Sequence, residues 1–396
     1  MGGRKILVEL KKRRFLKYLL FGDLYFQQGF SGTAVLFIPL YFISIDIPVE
    51  YITVIVGVSV SPWIIKFLWS TVIDKYIHKG RKYFIFVGGL ISAFCFFLLY
   101  FIDPSNLIIP FTIILFCSQF GQTLLDSAAD AWGIDISINE DRGKINAAMN
   151  IGSVVGAGLG AIILAFIAQT FGYSYMFIIA GIIILINIIL PSIIAETKKL
   201  IRKQKVKKLL LKEFKKKHVK LLLLFIPLIA IGYGIFNYGL IIYAKKALEL
   251  SDIQIGLITA SMMVSAIPGS IFSGIISDKF GRKKAIYLSA VPASIFVILI
   301  IFSNSIVTTI VLIFIISFFG YGVNAAILAF YMDATNPRLG GTQFSLYTGI
   351  ANFGSEGAGI FTGSIIVLLG YNNMFLISGL VTIPPLILLY YINIKN

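Results

Sequence analysis

Long apolar runs follow one another along this 396-residue chain and limit its fold more than any other feature. Each run approaches or exceeds the roughly 20 residues that an α-helix needs to cross bilayer hydrocarbon. In order they cover 17–44, 50–74, 82–102, 106–135, 143–170 and 173–195, then 219–245, 251–277, 284–303, 305–333, 341–369 and 371–393. With 58% hydrophobic and only 13% charged residues, the chain carries more apolar surface than a soluble domain can bury, so lipid must solvate it. Backbone N–H and C=O groups in lipid have to be satisfied within the protein, which makes segments of this length helices. The expectation is an all-α membrane protein of twelve transmembrane helices arranged as two six-helix bundles.

A net charge of +16 raises the question of a nucleic-acid partner, and the placement of the charge answers it. All but Lys66, Lys245 and Lys246 of the 34 Lys and Arg residues lie in the two termini or in loops on one side. That asymmetry is the positive-inside bias, so both termini are expected in the cytoplasm and the protein in the cell membrane, with lipid and not nucleic acid as its partner. The organisation expected is a basic tail (1–16), a first bundle (17–195), a linker (196–218) and a second bundle (219–396). The densest basic block runs from Lys198 to Lys220 and has Leu209, Leu210, Leu211 and Phe214 interleaved, as in an amphipathic helix lying on anionic lipid. Cys95 and Cys117 fall inside spans, which suggests no disulfide, and His78 and His218 fall in basic loops. No metal site and no cofactor are expected. The charged run Arg4 to Lys17 precedes an apolar stretch too long for a signal peptide, so that stretch is read as the first helix.

A short basic turn occurs twice. Asp74-Lys75 is followed by Gly80-Arg81-Lys82, and Asp278-Lys279-Phe280-Gly281-Arg282-Lys283-Lys284 repeats the pattern at the matching place in the second half. The segments Gly22–Gly29 and Gly232–Gly239 share Gly, Phe, a side-chain amide and Gly at one offset. Phe120-Gly121 corresponds to Phe319-Gly320, and Arg142-Gly143 to Arg338 near Gly340. Repetition of this kind indicates a duplicated bundle. The turn resembles the loops after helices 2 and 8 of the major facilitator superfamily of secondary transporters. That resemblance implies that helices 1, 4, 7 and 10 line a central cavity. It also implies that Asp74, Gly80, Arg81, Asp278, Gly281 and Arg282, with Arg142 and Arg338, form the cytoplasmic gate. Asp74 would approach 338–342 and Asp278 would approach 141–145 when that side is closed.

An ionisable group in hydrocarbon costs several kcal/mol unless it is paired or faces water, so charges within spans mark function. They are Asp23, Lys66, Asp126, Asp130 and Glu356. Asp126 and Asp130 share a helix face. Lys66 lies eight residues inside Asp74 and Asp126 nine inside Asp135, which puts both at roughly 12–14 Å depth at about 1.5 Å per residue. A purely structural ion pair is one reading. The other notes that two acids against one base leave a carboxylate whose protonation is linked to the pairing of Lys66, as proton coupling requires. Asp23 is expected to line the cavity or to pair with Lys66, and Glu356 to serve substrate or proton.

The stretch Pro62-Trp63-Ile64-Ile65-Lys66 and the stretch Asp126-Ser127-Ala128-Ala129-Asp130-Ala131-Trp132 are similar to helices 2 and 4 of the superfamily branch that holds muropeptide permeases and acetyl-coenzyme A transporters. This chain has Val154 where that branch carries an arginine, which speaks against a large anionic sugar-peptide. Gly152, Gly156, Gly158 and Gly160, and again Gly354, Gly357, Gly359 and Gly363, suit close helix packing. Gln27, Tyr233, Asn237, Tyr238, Tyr321 and Asn324 are the candidate substrate-cavity residues, since Tyr and Asn can hydrogen-bond a polar solute while packing on its apolar parts. No catalytic constellation and no phosphate-binding loop is present, so the chain is not read as an enzyme. It is read as a monomeric, proton-coupled secondary transporter of a small organic solute working by alternating access. An uncoupled facilitator and a drug-type proton antiporter are the alternatives.

Overall fold

The computed structural model describes residues 2–136, 142–193, 212–303, 305–336 and 340–393, and nearly all of them are helical. Eleven helices among them are long and apolar enough to cross a membrane. They are α1 (Phe15–Ser44), α2 (Val49–Lys75), α3 (Arg81–Tyr100), α4 (Ile108–Ile136), α5 (Lys144–Phe171), α6 (Ser174–Ser192), α7 (Lys217–Lys246), α8 (Asp252–Phe280), α9 (Arg282–Phe302), α10 (Ile306–Ala334) and α11 (Gln343–Tyr391). The last has 49 residues and leaves helical geometry at Gly370, where φ is 82° and ψ is 168°. At about 1.5 Å per residue an unbroken helix of that length would be more than twice the hydrocarbon thickness. The positive φ, which glycine adopts without a Cβ penalty, divides it into two limbs.

Local chemistry sets the other boundaries. Gly80 and Gly281 open α3 and α9 with nearly identical angles, φ 89° and 90° and ψ 154° and 157°. Ser251 caps α8 in a reciprocal box, its Oγ accepting from the Gln254 amide at 3.2 Å while Gln254 Oε1 accepts from the Ser251 amide at 2.8 Å. Pro62 has no N–H to continue the ladder of α2, which passes through a 3-10 turn over Ser61–Trp63 and resumes its α-helix at Lys66.

Packing repeats between the two sets of helices. The axis of α1 lies on α5 as that of α7 lies on α11, and α3 lies on α4 as α9 lies on α10. Glycine permits the tightest of these contacts: a methyl at Gly152 or Gly156 would overlap the carbonyl of Gly22 or Phe26, and one at Gly354 that of Pro227. The sets meet along α2 with α11 and α5 with α8, from mid-length to the end away from the basic turns. The expected linker helix falls outside the described residues up to residue 211. Its last part is described, and there Glu213 accepts from Asn336 at 2.8 Å and pairs with Lys216 at 2.6 Å.

Candidate functional site

A cavity of about 610 Å³ lies between the two sets, within the range of small-molecule sites. Most of its wall comes from α7, α9, α10 and α11, with α8 beside them and α1 and α5 closing the other side. Not one of its lining side chains is charged. Tyr233, Asn237, Tyr321 and Asn324 line it, as do Gln28, Thr33 and Asn352. The Tyr321 hydroxyl donates to Met263 Sδ at 3.2 Å. Ser317 and Tyr331 also line it, but their hydroxyl oxygens are buried and have no partner among the described residues.

Two expected cavity residues are corrected. Gln27 is fully buried and pairs with Gln122 at 3.3–3.4 Å, and Gln122 in turn donates to Ser92 at 3.0 Å. Each helical residue advances the direction of the side chain by about 100°, so Gln28 takes the cavity face while Gln27 turns into the contact with α4. The same rotation separates Asn237 from Tyr238. Tyr238 packs on Gly359 and donates to Glu356 Oε2 at 2.7 Å, with Ser355 donating to Oε1 at 3.3 Å. Glu356 therefore sits one layer behind the cavity wall, bonded across α7 and α11.

The charged cluster lies on the other side, behind α1. Lys66 Nζ is 3.2 Å from Asp126 Oδ2, with both side chains largely buried, and it stands 5.9 Å from the centre of the Trp63 ring. Gln28 Nε2 donates to the second oxygen, Oδ1, at 3.1 Å. The Tyr25 hydroxyl donates to Asp130. Trp63 Nε1 donates to Gln119 at 3.0 Å, and the Trp63 carbonyl accepts from Asn352 at 3.2 Å. Asn352 thereby ties the cavity wall of the second set to the helix break just ahead of Lys66. Asp23 neither lines the cavity nor reaches Lys66, and its Oδ2 is buried without a partner among the described residues.

In the doubled turn, each arginine bridges two acids of its own set. Arg81 reaches Asp74 at 2.7 Å and Asp135 at 3.1 Å, and Arg282 reaches Asp278 at 3.2 Å and Asp333 at 3.1 Å. Asp135 and Asp333, at the ends of α4 and α10, are partners that sequence reading missed; their matched positions were the available signal. Arg338 and the side chain of Arg142 lie outside the described residues. The opposite end is held across the sets by bonds that the sequence did not suggest. Tyr173 donates to Asp252 Oδ2 at 2.6 Å and Gln169 accepts from the Ile253 amide at 3.1 Å, while Lys245, from the same set as Asp252, pairs with its Oδ1 at 2.5 Å.

Comparison with known proteins accords with this arrangement. The Major Facilitator Superfamily model matches residues 24–251 and again 222–395. The arabinose-proton symporter of Bacillus subtilis is 32% identical over 110 residues, which is 28% of this chain and 24% of the symporter. The chain thus spans about a quarter of that relative. The putative transporter AmpG 2 of Rickettsia felis is 24% identical over 349 residues, 83% of this chain and 84% of its own length. Among solved structures, the nucleoside transporter NupG superposes with a TM-score of 0.75 at 12% identity, covering 96% of this chain and 98% of its own, which shows a shared fold.

Proposed function

The chain belongs to the major facilitator superfamily and is a multi-pass membrane transporter, not an enzyme, and on that footing we propose that it carries an uncharged, hydroxylated solute with protons. One observation carries the reading. The cavity is lined by amides, hydroxyls and apolar groups without one charge, while a buried acid-base cluster is hydrogen-bonded to it through Gln28. A charged solute there would be desolvated with no counter-charge, at a cost of several kcal/mol. A sugar or nucleoside exchanges its water bonds for Asn, Gln, Tyr and Ser side chains and lays its apolar face on Phe236, Met262 and Met263. The arabinose-proton symporter and the nucleoside transporter move solutes of this kind by name. An anionic sugar-peptide or a lipophilic cation fits the lining less well.

In this reading the two limbs of α11 are separate spans, which gives twelve. Segments 17–195 and 219–396 are two bundles that rock about the cavity, joined by 196–218, in a monomer with both termini in the cytoplasm. Protons are carried by Asp126 and Asp130 with Lys66. The test is uptake by proteoliposomes. Asp126→Asn should abolish accumulation driven by a pH gradient while retaining counterflow exchange, because the cavity wall is untouched. Accumulation that survives in both Asp126→Asn and Asp130→Asn would leave a proton carried elsewhere, as by Glu356, whereas a wild type that only equilibrates the solute would leave the uncoupled facilitator.

A further inference from the structure

Among the hydrogen bonds of the described residues, that from Gln28 is the one joining a cavity-lining side chain to the Lys66–Asp126 pair. Its Nε2 serves Asp126 Oδ1 at 3.1 Å, leaving Oε1 and a second N–H for the cavity. The other groups that meet Asp126 are Lys66 from α2, Tyr25 from α1 and Asp130 from its own helix. Of these, Gln28 alone is part of the cavity wall.

We propose that Gln28 is the positioning residue through which a solute in the cavity and a proton at Asp126 sense each other. The inference rests on the proton-coupled reading above. An ionised Asp126 has only acceptor oxygens, so it requires the N–H side of the Gln28 amide. Asp126 takes one proton from the aqueous side to become a neutral carboxyl, while Lys66 keeps its own proton. The new O–H can then donate to Gln28 Oε1, and the amide turns over. In the first orientation the cavity is offered mainly the amide oxygen, which binds a solute hydroxyl. In the second it is offered the N–H groups. A solute that prefers one orientation thereby biases the protonation of Asp126, and by linkage protonation changes solute affinity by the same factor. Nothing needs to move further than the amide rotation.

The test uses full-length protein in proteoliposomes with L-arabinose, D-glucose and uridine as probes. Gln28→Met keeps the length and removes the amide, while Gln28→Asn keeps the amide and withdraws it from Asp126. Each is compared with Asn237→Ala, a cavity change remote from the cluster. Counterflow exchange at equal pH reports solute binding and folding; concentrative uptake under a pH gradient reports coupling. Both Gln28 variants should exchange a probe at a reduced but measurable rate while accumulation falls to equilibration. Their affinity should lose most of a pH dependence that couplings of this type set at about 5- to 150-fold. Asn237→Ala should lower exchange and accumulation in proportion. Gln28 variants that accumulate to the wild-type ratio overturn this inference and leave proton coupling standing. A wild type that exchanges a probe without accumulating it overturns the proton-coupled reading, and one that moves none of the three probes overturns the reading of the cavity; this inference falls with either.

Discussion

Tyr173→Phe is the cleanest perturbation of the contact between the two helix sets. The Tyr173 ring stacks on Tyr41 with centroids 5.3 Å apart and planes 11° apart, so the phenylalanine keeps its packing and loses only the hydroxyl. That hydroxyl makes a 2.6 Å bond to Asp252, which is 6% exposed and opens α8 in the other set. A hydrogen bond to a charged group contributes about 1.5–3 kcal/mol. At about 1.4 kcal/mol per decade, its loss should raise the ratio of open to closed forms at this end by roughly 12- to 140-fold. Lys245 also pairs with Asp252, but it sits on α7 in the same set, so Lys245→Met leaves the bond between the sets in place. Its effect on the ratio should stay within about threefold, under 1 kcal/mol. Spin labels at Phe171→Cys and Lys246→Cys, both on exposed positions beside the contact, report the two populations by pulsed electron resonance once Cys95 and Cys117 are serine. An unchanged distance distribution in Tyr173→Phe, or an equal shift in Lys245→Met, refutes the argument.

The doubled turn should be unequal under the same substitution. The Arg81 side chain is 7% exposed and that of Arg282 is 34% exposed, so Arg81→Gln should lower the unfolding midpoint in detergent by clearly more than Arg282→Gln, whose pairs water screens. At the linker, burial pushes the Glu213 carboxyl up, but the bonds from Lys216 and Asn336 outweigh it and hold the group below the usual glutamate range. A depressed folded pKa contributes stability above the unfolded value of about 4.3, lost as pH falls through the folded value. The Tm difference between wild type and Glu213→Gln should be constant from about pH 8 to pH 5 and close below that; a difference that grows on acidification would reverse the sign.

Segment lengths and loop charge were enough to read the helices, because membrane crossing imposes both the run length and the one-sided basicity, while the doubled basic turn carried the resemblance to the family. The proximity of Lys66 and Asp126 was legible for a related reason. Depth along a helix is countable from a loop, and two opposite charges at one depth in lipid have few other partners. Facing direction was less legible. Gln27 and Gln28 are chemically alike, and only the rotation of α1 against α4 decides which one meets the cavity. The bonds across the far end were invisible because Asp252, Tyr173 and Gln169 look like ordinary loop-end residues until α5 and α8 are brought together.

The duplicated chain uses its two copies differently, and the cavity makes chemical sense of that. Both copies keep the basic turn, with one arginine clasping two acids, so this part of the fold is needed twice. Buried charge in the spans is not duplicated. Lys66, Asp126 and Asp130 belong to the first set, whereas the second supplies most of the cavity wall and, of the acids expected at depth, only Glu356, which bonds to Tyr238 and Ser355. In the proposed reading, a solute site made of neutral donors and acceptors is shielded from a proton site by such a division, because no charge has to be desolvated when the solute enters. The same division isolates the two unless some side chain spans them. Gln28 does so from the first set, and Asn352 reaches from the second to the Trp63 carbonyl three residues before Lys66. A movement of α2 relative to α11 would therefore stretch Asn352–Trp63 at the helix break that carries Lys66. In the proton-coupled reading proposed above, rearrangement of the sets and re-pairing of the ion cluster would be parts of one event.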